Sequence, residues 1–213
     1  MNKLSLQAMA FLTAALSLVS CKKASKENKP GTSSTHGKVS RELLPLELSN
    51  RWKYDVYQYD TSGGLSGVST MTTTVNKSRF FGKDKYYSDN DLFWRSNADS
   101  NTVYQVYQAL DKPFVRFKVT GGEERLDSFV LASQWLVYDA LPGWRKINGY
   151  DCIATRVIYR DTLDLKLNRV EYHYVARGVG LVLMETRFPR ASRTGDTSTY
   201  TGIRQVLTDY YLY

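Results

Sequence analysis

The stretch RVEYHYVA, residues 169–176, decides the fold. Its apolar side chains Val170, Tyr172, Tyr174 and Ala176 alternate strictly with Arg169, Glu171, His173 and Val175, so that the polar three share one side. A period of two is the signature of a β-strand, and the branched and aromatic residues favour that backbone. One apolar and one polar side is the pattern of an antiparallel sheet with one face toward water. On this reading His173 belongs to the polar side, as a satisfied surface or groove histidine.

Working outward, the same alternation recurs. WKYDVYQY places Trp52, Tyr54 and Val56 on one face, and PFVRFKV places Val115, Phe117 and Val119 opposite Arg116 and Lys118. Further strands are expected near 67–76, 84–88, 91–95, 102–109, 151–160, 180–187 and 199–212. Turn residues separate them in TSGGLSG, NKSRFFGKD, SNADSN, TGGEE, LPGWRKINGY and RTGD. LDSFVLASQWLVYDAL carries no helical stripe and reads as loop into strand, with room for a short helix. The fold class expected is mainly β: a single domain built as a curved antiparallel sheet or partial barrel of about ten strands, with a β-sandwich as the alternative. A faint echo between LELSNRWKYD (46–55) and VLASQWLVYD (130–139) raises a duplicated meander as a further idea.

At 213 residues with 42% hydrophobic side chains, the chain can build one sizeable core. A mean hydropathy of -0.41 argues against a polytopic membrane protein. More than half of the net charge of +8 lies near the start of the chain, where Lys3, Lys22, Lys23, Lys26, Lys29, Lys38 and Arg41 face only Glu27 and Glu42. The remainder holds about +3 and no basic stripe, so no nucleic-acid partner is expected.

LSLVSCKKAS, residues 16–25, places Cys21 after an apolar run and before two lysines. Lys3 and the segment Leu4 to Val19 have the charge and hydrophobicity of an export signal. Leu18-Val19-Ser20-Cys21 resembles the lipobox of bacterial lipoproteins. That resemblance implies cleavage before Cys21, a thioether-linked diacylglycerol on its sulfur and an N-acyl chain such as palmitate. The domains expected are a signal peptide at 1–20, a lipidated cysteine with a flexible basic tether at 21–40, and a β-rich globular domain at 41–213. As a random coil the tether would hold the domain about 25 Å from the anchor. The second cysteine, Cys152 in GYDCIATRVIY, reads as a small core residue.

A second resemblance covers most of the mature domain. PLELSNRWKY (45–54) and YHYVARGVGLV (172–182) are similar to the opening and closing motifs of a broad, mostly uncharacterised family of bacterial exported β-proteins and lipoproteins. The family opens Pro-Leu-x-x-Gly-x-x-Trp-x-Tyr, and Ser49 stands where its glycine would be, which puts the tight turn before the strand in question. The resemblance implies a curved sheet like that of periplasmic lipoprotein carriers or lipocalin-like folds, and no activity. Physically, Trp52 and Tyr54 would anchor a first strand, and Gly178 and Gly180 would permit a hairpin or bulge.

Catalytic signatures do not occur: there is no nucleophile elbow, zinc-protease helix motif, Walker loop or Cys-x-x-Cys pair. Asp89 and Asp91 in SDND suit an acidic turn better than a calcium site. Asp161-Thr162-Leu163 resembles a short bacterial O-glycosylation sequon with Thr162 as acceptor. The sixteen tyrosines suit cross-strand packing, with a groove or sugar-stacking surface as the other reading. No catalytic residue, metal or cofactor is therefore expected. The favoured function is a non-enzymatic binding or structural module, anchored through Cys21 to the outer membrane on its periplasmic face. Its partner would be a protein, an envelope component or an apolar small molecule. The alternative is an envelope hydrolase, glycan-directed, using paired carboxylates.

Overall fold

Every regular element among the described residues is a β-strand, as the alternation required. The computed structural model describes residues 36–37, 41–88, 92–96, 101–106, 112–190 and 198–213. Cys21, Asp89 and Asp91 lie outside them. In chain order the strands are β1 (His36–Gly37), β2 (Arg51–Tyr59), β3 (Leu65–Thr74), β4 (Lys77–Phe81), β5 (Asp84–Ser88), β6 (Phe93–Ser96) and β7 (Thr102–Val106). There follow β8 (Pro113–Lys118), β9 (Glu124–Leu131), β10 (Gln134–Ile147), β11 (Tyr150–Asp161), β12 (Leu167–Ala176), β13 (Gly180–Pro189) and β14 (Thr199–Leu212).

They form two sheets. The larger runs β3-β2-β14-β13-β12-β11-β10-β9, with β1 beside β14, and the smaller runs β4-β5-β6-β7-β8. Pairing is antiparallel except between β1 and β14. The edges of the large sheet, β3 and β9, do not meet, so it stays open. Between them the chain makes the whole small sheet: it leaves one edge after β3 and returns at the other as β9. Register shifts interrupt every pairing of the long strands β9 to β14 with one another and both pairings of β2, and each such bulge adds local twist and bend.

The sequence expectation of an open, curved antiparallel sheet holds, while about ten strands become fourteen among the described residues. Two added strands come from stretches read as turns or loops. NKSRFFGKD contributes β4, which reverses at Gly82 into β5. LDSFVLASQWLVYDAL is a strand, a tight turn and a second strand, β9 to β10, and it contains no helix. Ala132 takes φ 53° there, a left-handed turn conformation that alanine does not advertise. In LPGWRKINGY the first part extends β10 and only Asn148-Gly149 turns, at φ 49° and 88°, as a two-residue hairpin loop prefers. The two halves of the echo differ in structure: one is the loop entering β2, the other the β9–β10 hairpin.

Trp52 and Tyr54 are buried as expected, packed with Leu46, Val75, Val182 and Leu207. The Trp52 indole N–H donates to the Val179 carbonyl at 2.6 Å, so the large apolar ring is buried with its one polar group satisfied. A tryptophan so placed contributes about 3–5 kcal/mol relative to alanine. Ser49 takes φ 76°, the conformation for which glycine is suited, and the turn forms all the same: Ser49 N–H donates to Val75 O (2.8 Å) and Asn50 N–H to Glu47 O (3.1 Å). Gly178 and Gly180, at φ 73° and 99°, make the expected reversal between β12 and β13. Cys152 is fully buried with a free thiol.

One register level of the large sheet carries a row of charges. Arg125, Asp139, Arg156, Tyr172, Glu185, Arg204 and Tyr57 follow one another across β9, β10, β11, β12, β13, β14 and β2. Paired residues share a face, so these side chains form a ladder of alternating sign. Arg156 Nη2 donates to Asp139 Oδ2 (2.8 Å) and to Glu123 Oε1 (2.7 Å), and Arg125 Nε also donates to Asp139. The adjacent level points to the opposite face and holds Ala140, Thr155, His173, Met184, Gln205 and Val56.

Candidate functional site

Three residues of that second row, His173, Met184 and Gln205, line a cavity of about 330 Å³ between the two sheets. From the large sheet, His173, Met184 and Gln205 enter it at one level on β12, β13 and β14, with Trp52 and Tyr54 of β2 and Met71 of β3 beside them. From the small sheet, Tyr87, Trp94 and Gln105 enter at one level on β5, β6 and β7. Leu44 and Leu46, ahead of β2, and Leu181 of β13 add aliphatic wall. Met71, on the edge strand β3, lines the cavity and is also exposed, which marks where the space meets solvent. Between β3 and β12 lie four strand spacings, about 19 Å measured along the sheet.

The remaining wall is polar and buried. Arg116 of β8 donates from Nη2 to His173 Nε2 at 3.0 Å, and its guanidinium lies over the rings of Tyr138 (4.9 Å) and Phe117 (5.3 Å). Glu171 accepts from Tyr159 OH (2.9 Å) and from Arg169 Nε (3.0 Å), and one of its oxygens is 3.7 Å from His173 Nε2. Burial, reinforced by the adjacent Arg116 cation, holds the His173 pKa well below the ordinary imidazole value of 6.5. The ring is neutral at physiological pH and uses an unprotonated nitrogen to accept from Arg116.

These positions correct two sequence expectations. Arg169, Glu171 and His173 do form one face of β12, but that face turns inward under the small sheet, and His173 is 5% exposed. The inward face tolerates them because each meets a complementary group there. Arg116 was expected opposite the apolar face of β8, toward water. Its register explains why it is not: Val103 pairs Phe117 and the next residue, Tyr104, pairs Val115, so Arg116 is the extra residue of a bulge. A bulge re-aims a side chain, and both Arg116 and Phe117 consequently reach the cavity.

Several polar atoms around the cavity have no partner. Ser88 Oγ, Gln105 Oε1 and Arg116 Nε and Nη1 are buried without a hydrogen bond, and all three residues line the space. Such orphans are rare in native proteins and cost stability unless something satisfies them.

No protein-family model matches the chain. No curated protein matches it. Two solved structures are similar to it. One is a protein of Bacteroides fragilis described as exported and as having a YmcC-like fold: 7% identity over 78% of this chain and 97% of that one, with a TM-score of 0.38. The other, from Parabacteroides distasonis, is described as a lipoprotein: 13% identity over 81% of this chain and 100% of that one, with a TM-score of 0.37. Neither likeness assigns a role to any residue.

Glu171 is the one carboxylate among the described residues that line the cavity. The described residues contain no group of three or more metal-ligating side chains. Thr162 sits on the exposed β11–β12 turn, its hydroxyl donating to Ser133 O (3.1 Å).

Proposed function

We propose that the chain is a lipid-anchored envelope protein whose β-domain binds an apolar small molecule, without transforming it, in the space between its two sheets. The observation that carries this reading is the cavity itself. It has the size of small-molecule sites, aromatic and aliphatic walls, and a few buried polar groups on one side. A flat, fully packed sandwich would have left no such room. The hydrolase reading needs two carboxylates facing across a cleft, and the lining residues provide Glu171, already engaged by Tyr159 and Arg169.

The address rests on LVSC at residues 18–21, flush against an apolar segment. Lipidation at Cys21 would tether the domain to the outer membrane, and lysine rather than an acidic run after the cysteine favours the periplasmic leaflet. Burial of two or three acyl chains, at about 0.8 kcal/mol per methylene, makes such an anchor effectively permanent.

Trp52 and Trp94 line the cavity and report on its content. Titration with decanol should shift tryptophan emission in a saturable way, and Met184→Trp, which fills the space, should abolish the response. An unsaturable response, or one that Met184→Trp leaves intact, would contradict the binding reading.

A further inference from the structure

We infer that the ligand is an amphipathic monocarboxylate, a medium-chain fatty acid in chemical class, whose carboxylate is bound by Arg116 and whose alkyl chain occupies the aromatic part of the cavity. This deepens the binding reading above and rests on it.

Three observations point to a monoanion. Arg116 is only 6% exposed, and it spends one nitrogen on a neutral histidine while Nε and Nη1 have no partner. A guanidinium cannot shed its charge, so a buried one without a counter-ion is an unfinished ion pair. The second observation is a charge count along the same wall. Glu171 is matched by Arg169 at 3.0 Å, and His173 is held neutral. The wall is therefore left with a single unmatched positive charge, which suits a carboxylate and would be exceeded by a phosphate dianion. The third is the bulge at Arg116, which departs from the regular β7–β8 register. The extra residue lets Arg116 and Phe117, consecutive in the chain, both face the cavity.

The rest of the lining fits an alkyl chain. Trp52, Trp94, Met184, Leu181 and Leu46 offer no further charge, and the exposed edge at Met71 gives a route in.

The test is a head-group series on a constant tail: decanoate, decanol, decyl phosphate and decylamine, each below its micellar concentration. Each is titrated calorimetrically into the full exported chain carrying Cys21→Ser, which offers no thiol for the acyl anchor. Decanoate should bind about tenfold or more tighter than decanol, the gain of a charge-assisted hydrogen bond in a buried site. Arg116→Met should reduce decanoate to the affinity of decanol and leave decanol itself unchanged. Arg116→Lys, which keeps the charge, should retain part of the preference and covers the case in which Arg116→Met folds poorly. Equal binding of decanoate and decanol overturns this inference while the cavity reading stands. Tighter binding of decyl phosphate overturns the carboxylate in favour of a phosphate head. Failure of all four to bind overturns both readings.

Discussion

Arg116 and His173 meet across the two sheets, Nη2 donating to Nε2 over 3.0 Å with both side chains buried. The contact fixes the histidine as a neutral acceptor, because a second proton would place two cations side by side away from water. It also sets a pH dependence. Burial and Arg116 depress the folded pKa of His173 well below 6.5, so below that pH the unfolded chain binds a proton that the folded chain refuses. This contribution to stability is complete above pH 6.5 and is lost as pH falls toward the folded pKa, with a limiting slope of about 1.4 kcal/mol per pH unit. Denaturant midpoints measured between pH 7.5 and 5 should fall, and His173→Gln should flatten that fall. An unchanged slope in His173→Gln would show that other groups cause it.

The same guanidinium makes an unusual demand on the empty protein. Replacing a buried, incompletely paired charge by an apolar side chain of similar length is commonly neutral or stabilising. Arg116→Met should therefore melt at the wild-type temperature or above it, although it loses the carboxylate preference. Arg116→Ala, which adds a void, should melt lower. A large drop in Arg116→Met would mean that the charge is fully satisfied in the folded state.

Two backbone positions both disfavour a Cβ, so removing one and adding the other should have opposite effects. Ser49 holds φ 76° with a side chain that disfavours it, so Ser49→Gly should stabilise by about 1 kcal/mol, a rise of about 2–4 °C in Tm. Gly180 holds φ 99°, and an added Cβ would lie 2.9 Å from Leu44 Cδ1 and 3.3 Å from Trp52 Nε1. Gly180→Ala should destabilise by about 1–3 kcal/mol. Calorimetric melting of both variants checks the pair.

The charge ladder should be uneven in its effects. Asp139 is buried between Arg125 and Arg156, with its side chain 4% exposed against 55% and 29% for theirs. Asp139→Ala should cost about 1–3 kcal/mol, because the bonds lost are charge-assisted while the arginines can still reach water. Asp151→Ala, which removes the exposed pair with Lys146 (2.9 Å), should change stability by less than about 0.5 kcal/mol. Chemical denaturation of the two variants separates these cases.

Cys152 should be silent. Desolvation raises its thiol to about 12, so the folded domain should not react with a thiol reagent at pH 8 and should react fully in denaturant. Rapid labelling of the native protein would show that the strand end opens.

Much of the sheet was legible in alternation. WKYDVYQY, GYDCIATRVIY and RVEYHYVA all became strands, because a period of two and branched or aromatic residues act locally. One strand reversal was not legible: Ala132 at φ 53° sits within a stretch whose composition does not mark its geometry, whereas at Gly82 the turn was marked and the strand β4 ahead of it was not. The site was hidden for a different reason. Alternation shows that Arg116 and His173 each oppose apolar neighbours, but which face is wet depends on a second sheet whose packing is non-local. The bulge at Arg116 arises from a one-residue register shift against β7, and single-strand periodicity contains no record of it. A histidine and an arginine set among aromatics, in HYV and VRF, were the available hint.

Crystals of the protein soaked with an ω-bromo fatty alcohol test the central claim most directly, since the bromine locates the alkyl chain by anomalous scattering. A bromine peak between the sheets, beside Trp52, Trp94 and Met184, is the result expected. Bromine found only on the outer surface, with the cavity unchanged, would contradict it.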